Sequence, residues 1–315
     1  MKAAVFNRYG GNEVVQIREM PKPVCGVQDV LIRVRAAGVN PVDWKVRSGQ
    51  AKFFTGKRFP KILGNECSGE IVETGSSATR FKPGDQVIGW PSVWRLGAFA
   101  EFASVPQSST FPKVSAVTFE QAACIPIAGL TALQALRDKG RVSSGKKVLI
   151  NGAAGGVGHF AVQIAKIFGA RATGVCSGPN VEFVKSLGAD RVIDHGRDDF
   201  AGAGEQYDII FDAVSKRSFR ECKRALAPGG IYITTLPSAA VILNQFLFGR
   251  FSRRKAAVMS VRQNEADLQW MMDHVSAGRI RIVIDRSYSL DQAAEALAYS
   301  EGGKTRGKHV LTISS

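Results

Sequence analysis

The sequence predicts an α/β protein, with a doubly wound parallel sheet joined to a second, irregular β-rich domain. Three observations carry that reading. Lys146–Gly169, KKVLINGAAGGVGHFAVQIAKIFG, joins a short apolar run to a glycine turn and then to a helix-periodic stretch. From Arg171 onward strand-like and helix-like segments alternate, the pattern of a parallel sheet with crossover helices. Before about residue 120 that alternation is absent, and β-branched runs are punctuated by glycine and proline.

Taken in order, Val14–Arg18, Asp29–Ala36 and Gly69–Thr74 read as strands. The turn Lys82-Pro83-Gly84-Asp85 precedes a strand at Gln86–Gly89, and another is expected over Ala98–Val105. Phe119–Lys139 has helical spacing, interrupted by Pro126 and Gly129. Strands at 148–151, 171–176 and 191–193 then alternate with helices at 157–168 and 180–187. A strand at Tyr207–Asp212, a helix at Phe219–Ala225, a turn at Pro228-Gly229-Gly230 and a strand at Ile231–Thr235 extend the sheet. Ala239–Lys255 mixes apolar and basic residues; a packed helix and a solvated turn are expected there, in preference to a lid or a membrane-surface patch. A helix at Glu265–Ala277, a strand at Ile280–Ile284, a helix at Leu290–Ser300 and a strand at Lys308–Ile313 follow. The last strands are expected to return to the β domain and make it discontinuous.

Val148, Leu149 and Ile150 suit a buried parallel strand, and Gly152, Gly155, Gly156 and Gly158 follow directly. Phe160, Ala161, Ile164, Ala165 and Phe168 then recur at helical spacing, with Gly169 as the stop. A glycine turn between strand and helix lets a pyrophosphate approach the backbone, where the helix offers free N–H groups and partial positive charge. The spacing here is G-x-x-G-G-x-G, so the strand–turn–helix context carries the dinucleotide reading. Arg171–Cys176 is the second strand of the unit, and its end approaches the adenosine ribose. Ser177, Gly178, Pro179 and Asn180 follow, with no acid before Glu182. NADPH is therefore expected over NADH, with Ser177 and Asn180 as hydrogen-bond donors. His195 either reaches the same phosphate or is an ordinary loop histidine.

A length of 315 residues suits two domains, and 45% hydrophobic with 22% charged residues suits a globular protein. No apolar run reaches the ~20 residues of a membrane helix, no secretory signal is visible, and a cytoplasmic location is expected. Cys25, Cys67, Cys124, Cys176 and Cys222 lie far apart, which suggests neither a disulfide framework nor a cysteine-rich zinc site. The formal net charge of +15 would attract a polyanionic cofactor. It would also support weak binding to RNA or an acidic membrane, but no nucleic-acid motif accompanies it, and neither partner is expected.

VNPVDWKVRSG (Val39–Gly49), FPKILGNECSGEIVETG (Phe59–Gly75) and FKPGDQVIG (Phe81–Gly89) resemble the medium-chain dehydrogenase/reductase superfamily. IAGLTALQAL (Ile127–Leu136), the NGAAGGVG turn, LGADRVID (Leu187–Asp194) and the ending TRGKHVLTI extend the resemblance over essentially the whole chain. The subgroup it resembles most is that of the zinc-free quinone oxidoreductases and NADPH-dependent enone reductases. The resemblance implies a GroES-like catalytic domain at residues 1–122, completed by 280–315, and a Rossmann NADP-binding domain at 123–279. It also implies a homodimer.

Zinc-dependent members of the superfamily carry Cys where this chain has Val39-Asn40, and G-H-E where it has Gly64-Asn65-Glu66. Asparagine is a poor zinc ligand beside thiolate or imidazole, so no zinc is expected and a zinc alcohol dehydrogenase is disfavoured. Hydride would then pass to an acceptor already electrophilic, a quinone or an activated double bond. By the same resemblance Asn40 lies near nicotinamide and substrate oxygen, and Thr131 near the carboxamide. Gly155, Gly156 and Val157 form the pyrophosphate turn, and Ala213-Val214 and Leu236-Pro237 line the cofactor's two ends. Lys45 is either a donor to a carbonyl oxygen or a surface lysine. Asp43 orients Lys45 or Asn65, or caps the local turn. Trp44 either walls the acceptor pocket or packs, and Thr131 is alternatively a helix residue bonding its own backbone. Pro179 stands where many relatives have Arg or Lys, and His195 where many have Tyr, which narrows the NADPH margin. Lys304 and Arg306 are read as solvated loop charges in preference to cofactor contacts. The rival from another class is a non-catalytic NADPH-binding protein with a basic RNA- or membrane-binding surface.

Overall fold

A computed structural model describes residues 1–202, 204–245 and 253–313. These divide into two units. One comprises Met1–Ile127, Gln263–Ser276 and Ile284–Ser315; the other comprises Ala128–Arg262 and Ala277–Val283.

The first unit is built on the long strand Asp29–Val39, whose residues are buried except Arg33 and Arg35. It sits within a seven-stranded sheet ordered Ile284–Ser289, Lys308–Thr312, Asp29–Val39, Cys67–Thr74, Gln86–Gly89 and Thr110–Pro112, with Phe102–Pro106 also paired to it. All pairings are antiparallel except that of Ile284–Ser289 with Lys308–Thr312. A second sheet of three strands pairs Val15–Glu19, Lys2–Phe6 and Lys61–Ile62. Val30, Ile32, Val34, Ala37 and Val39 project from the long strand into one core with Phe6, Leu63, Ile71, Phe99 and Leu311. Directly after that strand, Pro41 fixes φ at the first position of the helix Pro41–Arg47, where its missing N–H costs no helical bond. The strand therefore delivers Asn40 and the helix to the end of the sheet.

In the second unit the six strands are all parallel, ordered Arg191–Asp194, Arg171–Cys176, Lys147–Asn151, Tyr207–Asp212, Leu226–Thr234 and Lys255–Val258. This is the doubly wound order expected of a dinucleotide-binding sheet. Val148, Leu149 and Ile150 are fully buried, as a central parallel strand requires. The parallel register brings Asn151, Cys176, Asp194, Asp212 and Thr234 out along one edge of the sheet.

Several elements differ from expectation. Ile280, Ile282 and Ile284 alternate like a strand, but the strand begins only at Ile284. The Gln163 side chain takes the backbone bonds of Arg281 instead: Arg281 N–H donates to Oε1 at 2.7 Å, and Nε2 donates to the Arg281 carbonyl at 3.0 Å. The turn expected at Pro228-Gly229-Gly230 is absorbed into the strand Leu226–Thr234, with Gly229 at φ +84° and a register shift opposite Tyr207 and Ile209. Pro126 opens the helix Pro126–Gln134, and Gly129 does not break it. The helix Glu265–Ser276 groups with the first unit, where Arg80 pairs with Glu265 at 2.7 Å. The division falls at Ile127 and Ile284, against the expected 122 and 280. Of Ala239–Lys255, the described part holds a helix at Ala239–Leu243 and the start of an unforeseen strand at Lys255; 246–252 lie outside the described residues.

Candidate functional site

In the first unit a polar cluster is buried where the long strand meets the helix Pro41–Arg47. Asn40 Nδ2 donates to Glu66 Oε1 at 2.6 Å. Lys308, from the last strand, donates from Nζ to Asn40 Oδ1 at 2.6 Å, to Glu66 Oε1 at 3.0 Å and to the Val39 carbonyl at 3.2 Å. Glu66 Oε2 accepts the Ile127 backbone N–H at 2.7 Å. Lys308 and Glu66 are 2% and 0% exposed, so the pair persists because each is hydrogen-bonded on every side that counts. Antiparallel pairing of His309 with Val39 brings this lysine alongside Asn40. Lys304 and Arg306, read from the sequence as solvated loop charges, are both exposed, whereas Lys308 was not foreseen as a site residue. Its signal was a lysine at the head of the short buried strand Lys308–Thr312, KHVLT.

Asp43 accepts the Asn40 backbone N–H at 2.8 Å through Oδ2 and the Asn65 amide at 2.7 Å through Oδ1. Asp43 thus bonds both the Asn65 side chain and the backbone at the start of the helix Pro41–Arg47. No hydrogen bond or ion pair joins it to Lys45 among the described residues. Burial raises its carboxyl to about 7, against the pull of these hydrogen bonds. Two buried polar atoms here have no hydrogen-bond partner among the described residues, Asn65 Oδ1 and Trp44 Nε1. Trp44 also packs against the core. Lys45 is half-buried, its ammonium lies 5.4 Å from the Trp44 ring centre, and burial lowers its pKa.

In the second unit the glycine turn has the form a phosphate group needs. Gly152 has φ +80°, and a methyl group there would lie 2.5 Å from Val214 Cγ1. On Gly158 a methyl would run into the Gly152 carbonyl, so helix and turn touch backbone to backbone. On Gly155 it would meet only the Gly152 carbonyl, at 3.5 Å, which leaves the outer side open. Val157 precedes the helix Gly158–Ile167, and the His159 N–H donates to the Gly155 carbonyl at 2.9 Å, so the turn runs directly into a helix N-terminus, the end that favours an anion. The residues present therefore fit a dinucleotide pyrophosphate.

Asp212, unforeseen as a site residue, organises the neighbouring strand ends. Its Oδ1 accepts from Asn151 Nδ2 and the Ser215 N–H, both at 2.9 Å; its Oδ2 accepts from the Arg217 N–H and Tyr232 hydroxyl, both at 3.0 Å. Ser215, at φ +54°, exchanges a hydrogen bond with Thr234 at 2.9 Å and accepts the Leu236 N–H at 3.1 Å. Val214 and Leu236 consequently stand at the sheet edge, 43% and 44% exposed. Asn180 Nδ2 donates to Ser177 Oγ at 3.2 Å, which draws these two residues together. His195 is exposed one residue beyond its strand. Thr131 is buried on the helix Pro126–Gln134, within the second unit.

The chain matches two family descriptions, an alcohol dehydrogenase GroES-like domain over residues 26–115 and a zinc-binding dehydrogenase over 187–311. A chloroplast envelope quinone oxidoreductase homolog of Arabidopsis thaliana is 33% identical, covering 99% of this chain and 98% of its own. A 2-methylene-furan-3-one reductase of Solanum lycopersicum is 31% identical, covering 99% and 79%. The structure of a quinone oxidoreductase from Coxiella burnetii superposes with a TM-score of 0.93 at 31% identity, covering 100% and 99%. The chain belongs to the medium-chain dehydrogenase/reductase superfamily and is quinone oxidoreductase-like. It is an oxidoreductase of that superfamily with a nicotinamide cofactor.

One matched description includes zinc, and the donor set can be tested against it. The resemblance puts zinc ligands at Val39-Asn40 and in Gly64-Asn65-Glu66, but Asn40 and Asn65 are amides, and Lys308 already binds Asn40 and Glu66. Among the described residues no group of three or more His, Cys, Asp or Glu could hold a metal ion. These residues do not fit zinc.

Proposed function

We propose that the protein is a zinc-independent reductase that prefers NADPH and transfers hydride to a quinone. The carrying observation is that the amides Asn40 and Asn65 stand where superfamily members with zinc have metal ligands, with Asn40 held by Glu66 and the Lys308 ammonium and Asn65 held by Asp43. With no Lewis acid to activate an alcohol, the acceptor must itself be electrophilic. The bound cofactor supplies the hydride and both electrons, and a proton from solvent completes hydroquinone formation.

On the acceptor side, the chain supplies position and charge. Lys45 donates a hydrogen bond to the oxygen on which negative charge develops, and partial burial strengthens that bond. Asn40 is held by Lys308 and Glu66 so that its amide cannot rotate. Asp43 fixes Asn65 and the start of the helix that carries Lys45. On the cofactor side, Gly155, Gly156 and Val157 take the pyrophosphate, Ser177, Asn180 and His195 the ribose end, and Thr131, Val214 and Leu236 the remaining edges. The absence of an acid from Ser177–Asn180 supports NADPH. We include a homodimer in this reading.

Reduction of an activated double bond is the second reading, favoured by the printed name of the Solanum relative. Steady-state rates with a simple quinone and a short enone, each with NADPH and NADH, test the proposal. Faster NADPH oxidation with the quinone supports it, and a faster enone selects the second reading. Tight NADPH binding without turnover of any acceptor selects a non-catalytic binding protein instead.

A further inference from the structure

We propose that Asp194 sets how narrowly the protein discriminates NADPH from NADH, by placing a carboxylate against the loop Ser177–Asn180. The inference rests on the reading above that this loop meets the adenosine ribose. That loop has no acid of its own, but the neighbouring strand supplies one. Asp194 ends the strand Arg191–Asp194 in parallel register with Cys176, and the His195 N–H donates to the Cys176 carbonyl at 3.0 Å. The two strand ends are therefore locked flush, and the Asp194 side chain turns toward the loop.

Two glycines make room for it. A methyl group on Gly178 would lie 2.8 Å from Asp194 Oδ2, and one on Gly196 would lie 3.3 Å from Oδ1. The Gly196 N–H donates to Oδ1 at 3.0 Å and fixes the carboxylate, leaving Oδ2 over Gly178. The side chain is 19% exposed and its charge reaches the adjoining strand: burial, then Asp194, pushes the Cys176 thiol up to about 11. Its cation is Arg197, whose Nε lies 3.7 Å from Oδ2 on a side chain 86% exposed, a pair too solvated to cancel the charge.

Dinucleotide sites that favour NADH place an acid after the second strand to accept the ribose 2′-hydroxyl. Here the acid comes from the third strand and reaches the same loop from the side. A 2′-hydroxyl can donate to it, whereas a 2′-phosphate meets a like charge. Arg197 opposes that penalty by leaving Asp194 for the phosphate. Asp194 thus holds NADH in competition at a site whose own loop favours NADPH.

The test is calorimetric titration of NADPH and NADH into wild type, Asp194→Asn and Arg197→Gln. Asparagine keeps the shape and the Gly196 hydrogen bond, and circular dichroism with thermal melting verifies folding. Asp194→Asn should raise the ratio of NADPH to NADH affinity about tenfold or more, the scale of one charge contact near a protein surface. Arg197→Gln should lower it. An unchanged ratio in folded Asp194→Asn, with both dinucleotides still binding, overturns the role of Asp194 and leaves the cofactor reading intact. Failure of wild type to bind either dinucleotide overturns both.

Discussion

Lys308 Nζ lies 3.0 Å from Glu66 Oε1, with both side chains out of water. The ammonium arrives from the last strand of the chain, the carboxylate from just before Cys67, and the amide of Asn40 is held between them. Burying two charges costs several kcal/mol each unless every polar atom finds a partner, and here the three ammonium protons have Val39, Asn40 and Glu66. The cluster is thus a fixed support for Asn40, built from residues far apart in sequence.

Breaking this pair on one side should be severe. Lys308→Met leaves a buried carboxylate unpaired, and a loss of about 3–5 kcal/mol is expected in denaturant unfolding. The double variant Lys308→Met/Glu66→Gln should lose clearly less than the sum of the two single losses. Additive losses would mean that the two groups are not coupled.

Asp43 should make stability depend on pH. Its folded pKa of about 7 stands above the ordinary 3.8, so between these values the folded state keeps a proton that the unfolded chain has released. The contribution is full below about pH 4 and is lost as pH rises through 7, by up to about 4 kcal/mol. Asp43→Asn removes the titration, so wild type should lose stability relative to the variant across that window. Parallel stability curves would contradict the assignment.

The glycine turn should separate folding from binding. Gly155→Ala meets open space and should melt as wild type does, while losing about tenfold or more in NADPH affinity, the equivalent of one obstructed phosphate contact. Gly158→Ala drives a methyl into the Gly152 carbonyl and should lower the melting temperature first. Unchanged NADPH binding in Gly155→Ala would remove this turn from the cofactor site.

Lys45→Met should lower kcat about a hundredfold with NADPH affinity unchanged, as expected for loss of one oxyanion donor. A surface lysine with no part in the reaction would leave kcat alone. Because burial lowers the lysine's pKa, wild-type kcat should also begin to fall at a lower pH than an ordinary lysine would give.

The parallel sheet was legible because each of its central strands is a short apolar run closed by a turn, a purely local signal. Ile280–Ile284 misled for the same reason: alternation reports burial, and here the backbone bonds of Arg281 went to the Gln163 side chain, so the ladder starts only at Ile284. Asn40, Asp43, Lys45 and the glycines were legible through motifs contiguous in sequence. Lys308, Asp212 and Asp194 were not. Lys308 depends on the pairing of the last strand with Val39, Asp212 on four partners from three separate segments, and Asp194 on register with Cys176. The count of acids after the second strand was correct along the chain and missed the acid lying beside it in space.

Direct hydride transfer without a metal can be followed by an isotope. Protein incubated with a chelator and verified metal-free would be supplied with NADPH deuterated in turn on each face of the nicotinamide, together with an enone whose product keeps a carbon-bound label. One deuterium on the β-carbon of the product, from one face only and at the rate of untreated protein, is the expected result. Loss of turnover on metal removal, restored by zinc, or a product without deuterium would rule out metal-free direct transfer.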